Sequence, residues 1–135
     1  MADNRQIFRI EGIIACEEFC EEYFRIVDPL VDHEKIHERV SSYLNQLVEL
    51  DIQILLNTEH FEKLTDCPDV YSMKIKRKGC NLRILFSYAR NGSILLHSFI
   101  EESGKRKTDY SSHTPIARRR LKEQKGGSRY EKRSR

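Results

Sequence analysis

Two apolar runs, Leu82–Tyr88 and Ser93–Ile100, are joined through the dipeptide Asn91-Gly92. Asn-Gly between two strand-like segments is the strongest short hairpin signal a sequence offers, because both residues tolerate the backbone of a tight reversal. A third segment, Val70–Lys76, alternates, with Tyr71, Met73 and Ile75 on one side and Ser72, Lys74 and Lys76 on the other. Gly79 marks the turn between this segment and the hairpin. The sequence therefore predicts a three-stranded antiparallel unit whose one face is apolar and needs a cover.

The preceding residues supply that cover. Cys16, Phe19, Cys20, Tyr23, Phe24 and Val27 recur at helical spacing, and Glu17, Glu18, Glu21 and Glu22 read as the opposite, solvated face. Pro29 ends that helix, since it cannot continue the hydrogen-bond ladder. Asp32 is placed to cap a second helix, whose apolar stripe runs Ile36, Val40, Tyr43, Leu44, Leu47, Leu50 and Ile54. Gln6–Ile10 reads as a short first strand. Pro115 opens a final short helix over 116–122. From Lys125 onward, Gly126-Gly127 and dense charge read as a disordered tail. The expected fold is α+β in two layers: a strand, a helical hairpin packed on an antiparallel sheet, and a C-terminal helix. One domain spans 1–125, and 126–135 is a basic extension.

Charge is sharply divided. Residues 1–70 carry 16 Asp/Glu and 6 Lys/Arg, whereas residues 71–135 carry 5 and 18. The strand segment from Tyr71 onward gathers cations without matching carboxylates, which points to phosphate, and so to RNA or DNA. The alternative for Lys74 and Lys76 is a solvated sheet face, or an edge kept from aggregating by charge. For Arg118-Arg119-Arg120 a plain solvated helix face competes with contact to ribosomal RNA. No apolar run approaches the ~20 residues that span a bilayer, and Met-Ala-Asp-Asn-Arg is not a secretory leader. Cys16, Cys20, Cys67 and Cys80 form no Cys-x-x-Cys pair and fit a reducing cytoplasm.

Element order and basic spacing together resemble the RelE/HigB type of toxin, in the RelE/ParE superfamily of toxin–antitoxin pairs, including its phage-derived members. The resemblance covers roughly residues 60–122. Lys74 and Lys76 in Tyr-Ser-Met-Lys-Ile-Lys match the family's paired strand lysines, and Arg83 in Asn-Leu-Arg-Ile-Leu-Phe its arginine on the next strand. Leu95-Leu96-His97-Ser98-Phe99 is similar to the last strand, Gly104-Lys105-Arg106 to the basic turn, and Ala117–Leu121 to the closing helix. The resemblance implies a ribosome-dependent mRNA endoribonuclease that needs no metal or cofactor and is held inactive by a cognate antitoxin. In it Tyr110 is the base for the ribose 2′-hydroxyl. Arg83 and Arg106 stabilise the phosphorane, and Lys74 and Lys76 hold phosphate. Lys78, Lys105, Lys107, Arg118 and Arg119 are the further RNA-binding candidates. His113 and His97 are rival acid/base groups, since imidazole titrates near neutrality. His97 also alternates with Leu95 and Phe99, which favours a satisfied core histidine. Two other readings stay open: a non-catalytic relative, such as a ParE-like gyrase inhibitor or RNA-binding module, and a zinc protease. The last rests on His33-Glu34-Lys35-Ile36-His37, an H-e-x-x-H pattern, with its lysine inside a normally apolar segment.

Overall fold

A computed structural model describes residues 4–77, 80–101 and 109–134, with the backbone alone for 4–5 and 126–134. The fold is α+β, built on one five-stranded mixed sheet. Strands β1 (Ile13–Ala15), β2 (Phe61–Lys63), β3 (Tyr71–Arg77), β4 (Cys80–Ser87) and β5 (Ser93–Ile100) lie in the order β1-β5-β4-β3-β2. Helices α1 (Glu17–Val27) and α2 (His33–Glu49) cover one face, a four-residue α3 (Ile52–Leu55) follows, and α4 (Thr114–Ser134) crosses the other face. Among the described residues no helix is long and apolar enough to cross a membrane.

The helical hairpin forms because its two stripes meet the apolar side of the sheet. Phe19, Tyr23 and Val27 of α1 and Ile36, Val40, Leu44 and Leu47 of α2 pack with Met73, Ile75, Leu82, Ile84 and Phe86. Each fully buried side chain of this size contributes roughly 1.5–3 kcal/mol of transfer free energy. The hairpin Leu82–Ile100 forms as expected, with Gly92 N–H donating to Ala89 C=O at 3.3 Å. Only Gly92 of that turn adopts positive φ; Asn91 does not.

Several local expectations are corrected. The segment 6–10 is not a strand: Asn4–Phe8 is a 3-10 turn, and Phe8 inserts among Phe19, Tyr23 and Phe24, with ring centroids 4.9–5.7 Å apart. The true first strand is Ile13–Ala15, and it pairs parallel with β5. Asp32 holds the expected N-cap position of α2 but makes no side-chain capping bond; its carboxylate turns to Arg77 at 3.0 Å instead. The α2 stripe ends at Leu50, whose backbone is extended, and Asp51 caps α3 through Gln53 N–H at 2.9 Å. That break leaves Ile54 exposed. Helix α4 runs past the expected 116–122, its backbone continuing to Ser134 through the segment read as a disordered tail.

Two features of β5 shape the face beneath α4. A bulge at Leu96 shifts its register, since Leu85 pairs with His97 but Phe86 with Leu95. Leu95 therefore faces the helical hairpin, while Leu96 and Phe99 face α4. The alternation of His97 with both Leu95 and Phe99 is thus broken. Second, β1 pairs only with Ser93–Leu95, so among the described residues the outer edge of β5 beyond Leu95 has no strand beside it.

Gly12 enters β1 at φ +94°, a conformation that L side chains rarely adopt. An added methyl would meet Val48 only at an ordinary 3.4 Å, so the cost of Gly12→Ala is conformational. It should amount to about 1–2 kcal/mol, lowering the unfolding temperature by several degrees. An unchanged melt would mean the turn relaxes to negative φ.

Candidate functional site

Strand register assembles a row across three strands. Lys74 of β3 pairs with Arg83 of β4, and Arg83 pairs with Phe99 of β5. Directly opposite residues of an antiparallel pair project to the same face. The next row holds Ser72, Leu85 and His97. This is the face that α4 crosses, packing Ala117 and Leu121 against Leu85, Leu96 and Phe99.

The row's cations are not unmatched. Lys74 Nζ lies 3.5 Å from Glu62 on neighbouring β2, and the buried Arg83 guanidinium pairs with Glu101. Lys76, opposite Asn81, is exposed. The sequence expectation of cations without carboxylates is corrected here, because β2 was not foreseen and it carries Glu62 to Lys74. Lys78, Lys105, Arg106 and Lys107 lie outside the described residues. Arg118 turns away, donating to the Asp66 carbonyl at 2.6 Å and to Cys67 Sγ at 3.2 Å. Arg119 pairs with Glu123 at 2.9 Å and Glu18 at 3.7 Å. Neither joins the row.

Aromatic and imidazole groups do join it. The Tyr110 hydroxyl donates to Ser72 Oγ at 3.1 Å, and its ring meets Phe99 edge-on. His113 stacks flat on Phe99, with centroids 3.6 Å apart. Its Nδ1 is 2.9 Å from His97 Nε2, and His97 Nδ1 is 2.9 Å from Glu22 Oε2. The chain Glu22–His97–His113 thus runs from α1, across β5, to the start of α4. His97 is a buried histidine with both ring nitrogens engaged.

Glu22 is the most constrained group in this cluster. It was expected on the solvated face of α1, yet it is 7 % exposed. Its Oε1 accepts from Ser98 N–H at 2.8 Å and from Arg120 Nη1 at 3.0 Å. Arg120 Nη1 also donates to Leu96 C=O at 3.0 Å. Burial alone would raise the carboxyl, but hydrogen bonds from His97, Arg120 and Ser98 outweigh it and hold Glu22 at about 2. His113 is pushed below the ordinary imidazole value, first by burial and then by the neighbouring His97. It is therefore neutral at physiological pH.

The H-e-x-x-H pair is occupied otherwise. His33 Nδ1 bonds the Leu30 carbonyl at 2.8 Å. His37 is buried, with Nδ1 3.0 Å from the Tyr23 hydroxyl and Nε2 3.3 Å from Asp28. Both nitrogens of His37 thus tie α1 to α2. Among the described residues no group of three or more His, Cys, Asp or Glu is arranged to hold a metal ion.

Glu22, read as solvated, and Arg120, read as solvated or in contact with ribosomal RNA, are instead a buried pair, and spacing carried a signal for it. Glu22 lies three residues after buried Phe19, and Arg120 three after buried Ala117, so both border an apolar stripe. No family model, curated protein or solved structure matches the chain.

The depressed Glu22 carboxyl makes stability depend on acid. Its contribution is fully present above the usual 4.5 and is lost as pH falls toward about 2. The shift corresponds to roughly 3 kcal/mol. Urea unfolding should show wild type losing stability between pH 5 and pH 2.5 more steeply than Glu22→Gln, which has no proton to take up. Parallel pH dependences would show that Glu22 is not held ionised.

Proposed function

We propose that this protein is the toxin of a toxin–antitoxin pair, an endoribonuclease that cuts mRNA on the ribosome and is restrained by a cognate antitoxin. The observation that carries the reading is the cross-strand row Lys74–Arg83–Phe99 with His113 laid on its end. It puts cations and a neutral imidazole on one sheet face. Cleavage of RNA by its own 2′-hydroxyl needs those two kinds of group: a proton acceptor, and positive charge for the phosphorane. The order strand, two helices, antiparallel strands, helix agrees with the resemblance to RelE/HigB toxins. Among the described residues Lys76 is the exposed cation of the face, suited to a first contact with phosphate. Tyr110, bonded to Ser72 two residues from Lys74, borders the same surface.

One observation favours a second reading. Because Lys74 and Arg83 are each answered by a carboxylate, the face also suits a non-catalytic module that binds without cutting. A gyrase inhibitor of this kind would block DNA supercoiling and leave ribosome-bound mRNA whole.

Induced expression should arrest growth and produce mRNA cuts at ribosome-bound codons. Lys74→Ala is the informative variant, since its pair with Glu62 is partly exposed and contributes only about 0.2–1 kcal/mol. It should lower cleavage at least tenfold, as order-of-magnitude loss of one phosphate contact, with the unfolding temperature nearly unchanged. Arg83→Ala, by contrast, strips the charge partner from a buried pair and should cost roughly 3–5 kcal/mol of stability. Wild-type cutting by Lys74→Ala would remove the row from the mechanism, and uninterrupted translation on induction would remove the toxin reading.

A further inference from the structure

We infer that the Glu22–His97–His113 chain fixes the tautomer of His113, leaving its Nε2 as the proton-accepting atom of the RNA-cleaving site. The inference rests on the ribonuclease reading for its substrate, whereas the tautomer follows from the hydrogen-bond inventory with His97 as a neutral imidazole. An ionised carboxylate can only accept, so His97 Nδ1, 2.9 Å from Glu22 Oε2, must carry a proton. Arg120 Nη1 approaches the same nitrogen at 3.5 Å, but its two hydrogens already serve Glu22 Oε1 and the Leu96 carbonyl. With Nδ1 protonated, neutral His97 has a lone pair at Nε2. His113 Nδ1, 2.9 Å away, must therefore donate to it. Neutral His113 is left with its lone pair at Nε2, which has no hydrogen-bond partner among the described residues. With His97 neutral, each proton position follows from the group before it, starting from Glu22. An imidazolium at His97 would donate from Nε2 and put the His113 proton on Nε2, which nitrogen-15 spectra detect.

The stacked Phe99 holds the His113 ring in plane, beside the Lys74–Arg83 row. In the reaction Nε2 takes the proton of a ribose 2′-hydroxyl. The 2′-oxygen then bonds to phosphorus and the P–O5′ bond breaks. The departing 5′-oxygen takes a proton from solvent and His113 returns its own, so the protein is unchanged. His113 is the catalytic residue, whereas His97 and Glu22 act through it as positioning residues. The charged and titratable groups around the ring are His97 from β5, Glu22 from α1, Arg120 from α4 and Asp109 from the preceding segment. Burial lowers its affinity for protons, and Asp109 and Glu22 partly restore it. Cleavage should rise with pH through a value below 6.5, as the ring becomes neutral.

The test uses the full chain labelled with nitrogen-15 histidine and long-range proton–nitrogen spectra at neutral pH. His113 and His97 should both carry their proton on Nδ1. A His113 proton on Nε2 overturns the inference. His97→Gln places an amide that can donate or accept beside His113, so both tautomers of His113 should appear. A merely structural role for His97 would lower the unfolding temperature and leave the tautomer alone. In cleavage of ribosome-bound mRNA, His113→Gln should be slower by about 10²–10⁴-fold, with an unfolding temperature close to wild type. Equal rates would remove His113 as the base. If wild type cuts no mRNA while the tautomers are as stated, the ribonuclease assignment is overturned and the fixed tautomer stands. The spectra contain no RNA, so the two failures are told apart.

Discussion

A single buried carboxylate ties the three layers of this molecule together. Glu22 leaves α1, bonds the backbone and His97 of β5, and meets Arg120 of α4. Moving a carboxylate out of water costs several kcal/mol, and the structure supports it only because every approach is filled by a donor. Remove any partner and the charge is left uncompensated. The packing of α1 on one side of the sheet and of α4 on the other is therefore correlated through one side chain. Hydrophobic burial alone fixes such an arrangement poorly, since apolar stripes can slide.

The position of that carboxylate follows from a gap in the sheet. Strand β1 is three residues long and stops at the partner of Leu95. Beyond it β5 would present unpaired edge groups, which proteins cover or pair. Here Ser98 N–H goes to Glu22 and Leu96 C=O goes to Arg120, so an ion pair completes the edge that a longer strand would have closed. The bulge at Leu96 belongs to the same device, because it turns Leu96 and His97 toward α4. Under the proposed mechanism one carboxylate thus serves both needs: it closes the sheet edge, and it sets the hydrogen-bond direction that ends at His113. A site built on edge closure is rigid, as positioning a proton acceptor demands.

The parts of this design legible in the sequence are those with period or turn chemistry. The hairpin around Asn91-Gly92, the alternation of β3, the stripe of α1 and that of α2 as far as Leu47 emerge correctly from local pattern. Strands β1 and β2 are three residues each, shorter than any reliable alternation, and the missed β2 hid the carboxylate facing Lys74. Phe8 lies in a segment that reads as extended, but tertiary contact with three aromatic rings overrides that preference. Glu22 was assigned to solvent with its acidic neighbours because composition cannot tell which of four glutamates meets a histidine and an arginine. His97 and His113 were visible as candidates. Their coupling was not, since it joins residues from three elements.

Charge balance at the row constrains how any phosphate could use it. Buried Arg83 cannot release Glu101 cheaply, because separating a desolvated pair costs roughly 3–5 kcal/mol. The half-exposed Lys74–Glu62 pair is held by only about 0.2–1 kcal/mol and opens readily. A phosphate arriving at this face therefore recruits Lys74 and the exposed Lys76, while Arg83 contributes a fixed positive end without changing partner. Under the proposed function, that division would make the face selective for an anion placed by other contacts. Two free lysines and a free arginine would attract any polyanion. A paired arginine and one exchangeable lysine hold weakly until the substrate is otherwise aligned, and in the proposed function the ribosome supplies that alignment.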